Sequence, residues 1–276
     1  MATPKEARDR ASSTYNAAAD SYDADPLSFW SYFGQRTVEH LGLCDGNNVL
    51  DVACGAGASA IPAAEAVAPT GSVLAVDLAE KLLELARHKA EQRNLTYIQF
   101  QHGDMMALNQ PPGRFDAVIC VFGIFFVPDM VAAVKALWQI VRPGGKLAVT
   151  TWGANLFEPA NSAFWNSIKR VRPDLERAFN PWDRISEPAA LRRMLEDAGV
   201  ANIDVTTENR LHPLHGPDDW WTIVRGSGYR GTIEQLATSD CDAVRQVNIK
   251  YIRENQVTAV ETNALYAIAR KQPLQK

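Results

Sequence analysis

The sequence predicts an α/β fold, with a parallel sheet covered by helices on both faces. Three observations lead there. From Asn48 to Thr151, short apolar runs of strand length alternate with helical patterns, the signature of βαβ units. Several of the runs are continuously apolar, as strands buried on both faces must be. The first run ends in Gly55-Ala56-Gly57, a glycine pair that follows a strand and opens a helix. Glycine lets a backbone come close to a ligand, and a helix start offers free N–H groups.

Residues 5–21 and 26–42 read as two helices, parted at Asp25-Pro26 because the residue before a proline is pushed out of the helical region. Strand 49–52 is followed by helix 58–67, strand 73–76 by helix 80–93, then strands 97–101 and 115–121, helix 130–141 started by Pro128, and strand 146–151. Past Trp152 the alternation loosens. Residues 157–179 read as a helix rich in Phe and Trp, and 188–198 as a helix closed by Gly199. Then come a strand at 200–211, an irregular aromatic region to Gly231, a long helix at 232–255 and a last strand at 264–269.

The formal net charge of −4 gives no basic stripe for a nucleic acid partner. Lys169, Arg170, Arg172 and Arg177 are interrupted by Asp174 and Glu176 and read as a solvated helix face. Cys44, Cys54, Cys120 and Cys241 have no metal-ligand spacing, so no metal is expected and a reducing compartment is. With no secretory apolar segment and no run of membrane-spanning length, the expectation is a cytoplasmic protein without membrane insertion.

The stretch from Val49 to Ala60 is the most informative. Taken alone, Gly55-x-Gly57-x-x-Ala60, with Asp77 about 20 residues further on, also satisfies the dinucleotide fingerprint of NAD enzymes. Asp51 separates the readings. An unpartnered carboxylate at a strand end is costly, whereas a ligand with an ammonium group, met directly or through water, accounts for it. S-adenosylmethionine carries such a group at its amino-acid end and NAD does not. The other reading of Asp51 is a carboxylate capping the amides of the glycine loop.

The order Asp51-x-Ala53-Cys54-Gly55-x-Gly57, Val76-Asp77, Gly103-Asp104-Met105 and Arg142-Pro143-Gly144-Gly145 resembles the class I S-adenosylmethionine-dependent methyltransferases. Within them it is most similar to the ubiquinone and menaquinone C-methyltransferases and related small-molecule enzymes. The resemblance implies a Rossmann-like fold, a seven-stranded, mostly parallel sheet with the last strand antiparallel, and a helical lid. It divides a single domain, 1–276, into an N-terminal helical lid (1–45), a cofactor-binding core (46–152) and substrate-side insertions with the last strands (153–276). It also implies that Asp77 accepts the ribose hydroxyls, that Leu78 and Met105 sandwich the adenine, and that Asp104 accepts from its amino group. Ala53, Gly55, Gly57 and Gly103 would meet the cofactor, as would Asp51. The alternative for Asp77 is a helix cap, and for Asp104 an Asx-turn.

The segment from Val118 to Asp129 is similar to the strand end that lies beside the cofactor in this family, so Cys120 and Val121 are expected to touch it and Phe122 to shape the pocket. Phe125 and Phe126 read equally well as cover for the sheet. Tyr15 and Tyr22 resemble a tyrosine pair that opens many members, the second closing over the cofactor near its sulfonium. His212 and His215 follow the sixth strand on the ligand side and are the candidate general bases; His40, His88 and His102 have no catalytic part. Trp152, Phe157, Trp182 and Trp220, with Tyr15 and Phe122, are expected to line the acceptor pocket. The expected activity is O- or C-methylation of a small aromatic or lipophilic metabolite. An NAD-dependent oxidoreductase and a non-catalytic cofactor-binding module are the rivals, and a homodimer is allowed.

Overall fold

The computed structural model describes residues 4–176 and 180–273. Helices α1 (Pro4–Ala18) and α2 (Phe29–Leu41) precede the sheet, joined through a 3-10 turn at Asp25–Leu27. The alternating segment supplies β1 (Asn48–Val52), α3 (Ala60–Val67), β2 (Ser72–Asp77), α4 (Glu80–Gln92), β3 (Ile98–His102), β4 (Phe115–Val121), α5 (Met130–Ile140) and β5 (Val141–Trp152). Then follow α6 (Ala160–Val171), α7 (Pro188–Asp197), β6 (Ile203–Glu208), β7 (Leu211–Pro213), α8 (Pro217–Arg225), α9 (Arg230–Ile233), α10 (Thr238–Glu254), β8 (Ala259–Glu261) and β9 (Ala264–Arg270).

The seven-stranded sheet has the order β3-β2-β1-β4-β5-β9-β6. Strands β1 to β5 pair in parallel, and β9 runs antiparallel between β5 and β6. The chain leaves β1 toward β2 on one side and returns as β4 on the other. A crevice opens at such a switch point, outside the carboxyl ends of the strands. Val49, Leu50 and Val52 are fully buried, and the apolar face of α4, with Leu82, Leu83, Ala86 and Ala90, repeats at helical spacing against the sheet. Helix α2 lies over α3 and β5: the Thr37 and Thr150 hydroxyls bond at 2.7 Å inside the core.

Several boundaries differ from the sequence expectation. The helix expected over 157–179 is α6, which ends at Val171 because Arg172-Pro173 breaks it; Arg177 and Phe179 lie outside the described residues. Lys169 and Arg172 on its exposed end pair with Glu176 and Asp174 at 2.9 and 2.7 Å. The strand expected over 200–211 stops at Glu208, and Leu211–Pro213 pairs instead with Ala259–Glu261 in a separate two-stranded ribbon. The aromatic region before Gly231 holds a helix, α8, which buries Trp220, Trp221, Ile223 and Val224. The expected long helix at 232–255 divides into α9 and α10. Pro128 does not start α5: Asp129 stands between as its cap, accepting the Ala132 N–H at 2.9 Å. Among the described residues no helix is long and apolar enough to cross a membrane.

Candidate functional site

A cavity of about 350 Å³ opens at the carboxyl ends of β1, β2 and β4, beneath α1 and the start of α2. Its floor is the loop after β1. The carboxylate of Asp77, at the end of β2, accepts the Gly55 N–H at 2.8 Å and the Ala79 N–H at 2.7 Å. Burial pushes the Asp77 carboxyl up from the usual carboxylate range, and these N–H bonds oppose the rise. Asp77 thus braces the loop and the entry to α4, while still lining the cavity. Gly55 stands at φ +52°, and a Cβ there would lie 3.1 Å from the Tyr22 hydroxyl oxygen. Only a glycine leaves that space open between the loop and Tyr22.

Asp51 is fully buried one layer below. Its Oδ2 accepts the Ser59 hydroxyl at 2.7 Å, and its Oδ1 has no partner among the described residues. Desolvation lifts its carboxyl to about 7, against the Ser59 bond and with help from the nearby Asp77 charge. The Asp51 carboxylate takes a hydroxyl where a loop cap would take backbone amides. Ser59 lines the cavity, whereas Asp51, expected to meet the cofactor, does not line it and is joined to it through the Ser59 hydroxyl.

At the opposite end, Leu78, Gly103, Asp104 and Met105 form the wall, with Met106 at the rim. Asp104 accepts the Met106 N–H at 2.8 Å, an Asx-turn, and Arg8 approaches its other oxygen at 3.9 Å. The turn and a place in the cavity wall coexist. From the end of β4 comes Val121, followed by Phe122 and by Gly123, where a Cβ would stand 2.4 Å from that of Ala53. The two loops meet with no room for a side chain there.

The roof is aromatic. Tyr15 meets Phe126 edge-on at 5.5 Å, and Tyr22 stacks parallel on Trp30 at 5.4 Å. Burial raises both phenols above their ordinary pKa, with the neighbouring Asp77 charge adding to it, so both remain protonated. Helix α1 is tied across the opening by Ser12, whose hydroxyl donates to the Leu78 carbonyl at 3.0 Å, and by Asn16, which accepts the Lys81 N–H at 3.0 Å.

The cavity therefore gathers Tyr22, Ala53, Gly55, Asp77, Leu78, Gly103, Asp104, Met105 and Val121, with Tyr15 and Phe122. It does not gather the rest. Gly57, at φ +84°, serves packing: a Cβ there would press on Ile61 and Ala86. Cys120 is fully buried in β4, whereas Cys54 lines the cavity. The candidate bases are elsewhere. His212 is buried on β7 with Nε2 2.9 Å from the Pro26 carbonyl, which can only accept, and desolvation lowers its pKa. His215 is exposed, its backbone N–H bonded to Asp219 at 2.7 Å. Trp152 stacks on the back of Phe122 at 3.8 Å, Phe157 is packed behind Phe29, and Trp220 donates to Asn248 at 2.9 Å. Trp182 packs on Phe125. These four are the packing behind the wall rather than the wall. Sequence reasoning missed Trp30, Ser59 and Ser12, and Phe126 joins the wall where cover for the sheet was the competing reading.

The residues present fit the adenosyl cofactor on their own evidence: beneath Ser59 a buried carboxylate oxygen with no partner among the described residues, and in the floor a glycine whose place a side chain would fill. A model of the ubiE/COQ5 methyltransferase family matches residues 5–208. The chain is 31% identical over 205 residues to the aklanonic acid methyltransferase DauC of Streptomyces sp. (strain C5), covering 70% of this chain and 92% of that one. It is 31% identical over 229 residues to the demethylmenaquinone methyltransferase of Anoxybacillus flavithermus, covering 76% and 97%. In fold it is similar to a SAM-dependent methyltransferase from Aquifex aeolicus, with a TM-score of 0.52 and 17% identity over 89% of this chain and 93% of that one. The dinucleotide reading of the glycine loop finds no support among these relatives. With this sheet order, this loop and these relatives, the chain belongs to the ubiE/COQ5 methyltransferase family and is an S-adenosylmethionine-dependent methyltransferase of small molecules.

Proposed function

We propose that the cavity holds S-adenosylmethionine with its adenine between Leu78 and Met105 and its amino-acid end over Gly55 and Ser59. Its support is the placement of Asp104 and Asp77 in the cavity wall and of Asp51 beneath the lining residue Ser59, the order in which adenine, ribose and ammonium follow one another in the ligand. Asp77 accepts the ribose hydroxyls, and Asp104 the adenine amino group, with its charge also facing Arg8. Asp51 answers the ammonium through its free Oδ1, directly or by water. Bound there, the cofactor supplies an electrophilic methyl group on a sulfonium.

The acceptor we infer is a small aromatic or lipophilic metabolite, methylated on oxygen or carbon. The two relatives are named for aklanonic acid and demethylmenaquinone, and the wall beside the cofactor end is apolar: Trp30, Phe122, Phe126 and Val127. Among the described residues no histidine lines it, so the chain's contribution is alignment and exclusion of water rather than a histidine base. The α1–α2 segment acts as the lid of this single domain. The buried Cys54 and Cys120 thiols and the acidic net charge favour a cytoplasmic reaction without nucleic acid.

Calorimetry with S-adenosylhomocysteine, followed by incubation of labelled methyl donor with quinol, phenol and polyketide acceptors, tests the proposal. Micromolar binding and a product one methyl heavier are expected. Absence of S-adenosylhomocysteine binding would sink it.

A further inference from the structure

Trp30 lies in the first turn of α2 and is 8% exposed. Its indole Nε1–H is buried without an acceptor among the described residues. A buried donor left unmade is costly, and one that persists asks for a ligand to complete it. Of the side-chain donors in this condition, Trp30 is the one whose residue lines the cavity.

Its neighbours fix which end of the cavity it serves. Gly34, one turn further along α2, docks on the start of α3, where a Cβ would lie 2.2 Å from the Ala58 carbonyl oxygen and 2.8 Å from the Ser59 nitrogen. Trp30 lies on the same face of α2 one turn before Gly34, and Ala58 and Ser59 line the same cavity. On the other side the Tyr22 ring lies parallel to the indole, within 3°, and its hydroxyl reaches over Gly55. Phe122 and Trp152 close the remaining edges at 5.7 Å each. This is the end assigned above to the amino-acid portion of the cofactor.

That portion carries two opposite charges. The ammonium has Asp51, but the carboxylate is repelled by it and needs donors. The cations of the wall, Lys5 and Arg8, belong to α1, and Arg8 faces Asp104 at the adenine end. We propose that the Trp30 indole N–H donates a hydrogen bond to the carboxylate of S-adenosylmethionine, so that Trp30 selects ligands that carry the amino-acid group. The proposal rests on the cofactor placement above.

The test compares S-adenosylhomocysteine with 5′-methylthioadenosine, which lacks the amino-acid group, by calorimetry on the whole protein and on Trp30→Phe. Phenylalanine keeps a ring in the wall and removes the donor. The variant is expected to lose roughly ten- to a hundredfold in S-adenosylhomocysteine affinity, as for one bond to a charged group, with methylthioadenosine unchanged. Equal losses for both ligands would mean ring packing alone and overturn the proposal, as would no loss for either. If the variant does not fold, the indole ¹⁵N–H signals of the unaltered protein, from its 7 tryptophans, carry the test. One signal moving downfield with S-adenosylhomocysteine and not with methylthioadenosine supports the contact, and none moving overturns it. Unaltered protein that bound neither ligand would bring down the cofactor placement as well, which separates the two failures.

Discussion

Asp77 and Gly55 are joined across the tops of two neighbouring strands: the carboxylate Oδ2 accepts the Gly55 N–H at 2.8 Å while Oδ1 holds Ala79 at 2.7 Å. In the proposed placement, loop shape and ribose binding share one side chain. Asp77→Ala is expected to lower S-adenosylhomocysteine affinity by about a hundredfold or more, the sum of two charge-assisted bonds, and to lower the melting temperature of the ligand-free protein. Calorimetry and a thermal melt read the two effects separately. Unchanged affinity would remove Asp77 from the ribose site.

With the ammonium placed beside Asp51 as proposed, affinity should depend on pH. Burial lifts its carboxyl to about 7 in the fold, far above its value in an unfolded chain. A raised folded value means that stability is greatest when the group is protonated and falls as pH rises from about 4 to about 7. Asp51→Asn is expected to gain stability relative to the parent across that window, measured by denaturant titration. An ammonium beside Asp51 favours its ionised form, so S-adenosylhomocysteine affinity should rise between about pH 6 and pH 8 in the parent. In Asp51→Asn that rise is expected to vanish.

The Gly34–Ala58 contact predicts a stability defect behind the cavity wall. Gly34→Ala drives a methyl group into backbone at 2.2 Å, so α2 must lift from α3. A loss of about 1–3 kcal/mol or more is expected by chemical denaturation. Cofactor affinity should fall with it, because Trp30 rides on the same helix.

Glu208 supplies a contrast outside the cavity. It accepts the Tyr32 and Tyr266 hydroxyls and the Arg36 Nε–H, tying α2 to β6 and β9. Burial pushes its carboxyl up, but these donors together hold it below the usual range. A lowered folded value gives stability that is present above the ordinary carboxylate pKa and lost on acidification below about 4.5. Glu208→Gln should flatten that acid limb in a pH series of thermal melts and leave S-adenosylhomocysteine affinity unchanged.

The sheet was legible because buried parallel strands carry continuous apolar runs, as 73–76 and 117–121 do. The proposed cofactor end could be read from the sequence because Asp51, Asp77 and Asp104 lie at or next to the ends of neighbouring strands, where strand order sets their order in space. What failed were features set by tertiary packing. Trp30 reads as one more apolar residue of α2, and only the docking of Gly34 on Ala58 turns it toward the cavity. Trp152, Phe157 and Trp220 have the same composition as a pocket lining, yet they fill the space behind Phe122 and Tyr229. For α8 the signals were present: Pro217 at its first position, Asp218 and Asp219 in its first turn, and an apolar stripe. Its nine residues between two glycines were too short a window for the period to stand out.

The placement of β9 has a consequence for how the molecule is made. Strand β6 touches the large sheet only through β9, which is translated some fifty residues later. The five strands from β1 to β5 can pair as soon as they emerge from the ribosome, and with them the floor of the cavity. Until Ala264–Arg270 follows, β6 has no partner strand and the outer edge of β5 lies bare, so the C-terminal half of the sheet is the last part to gain its shape.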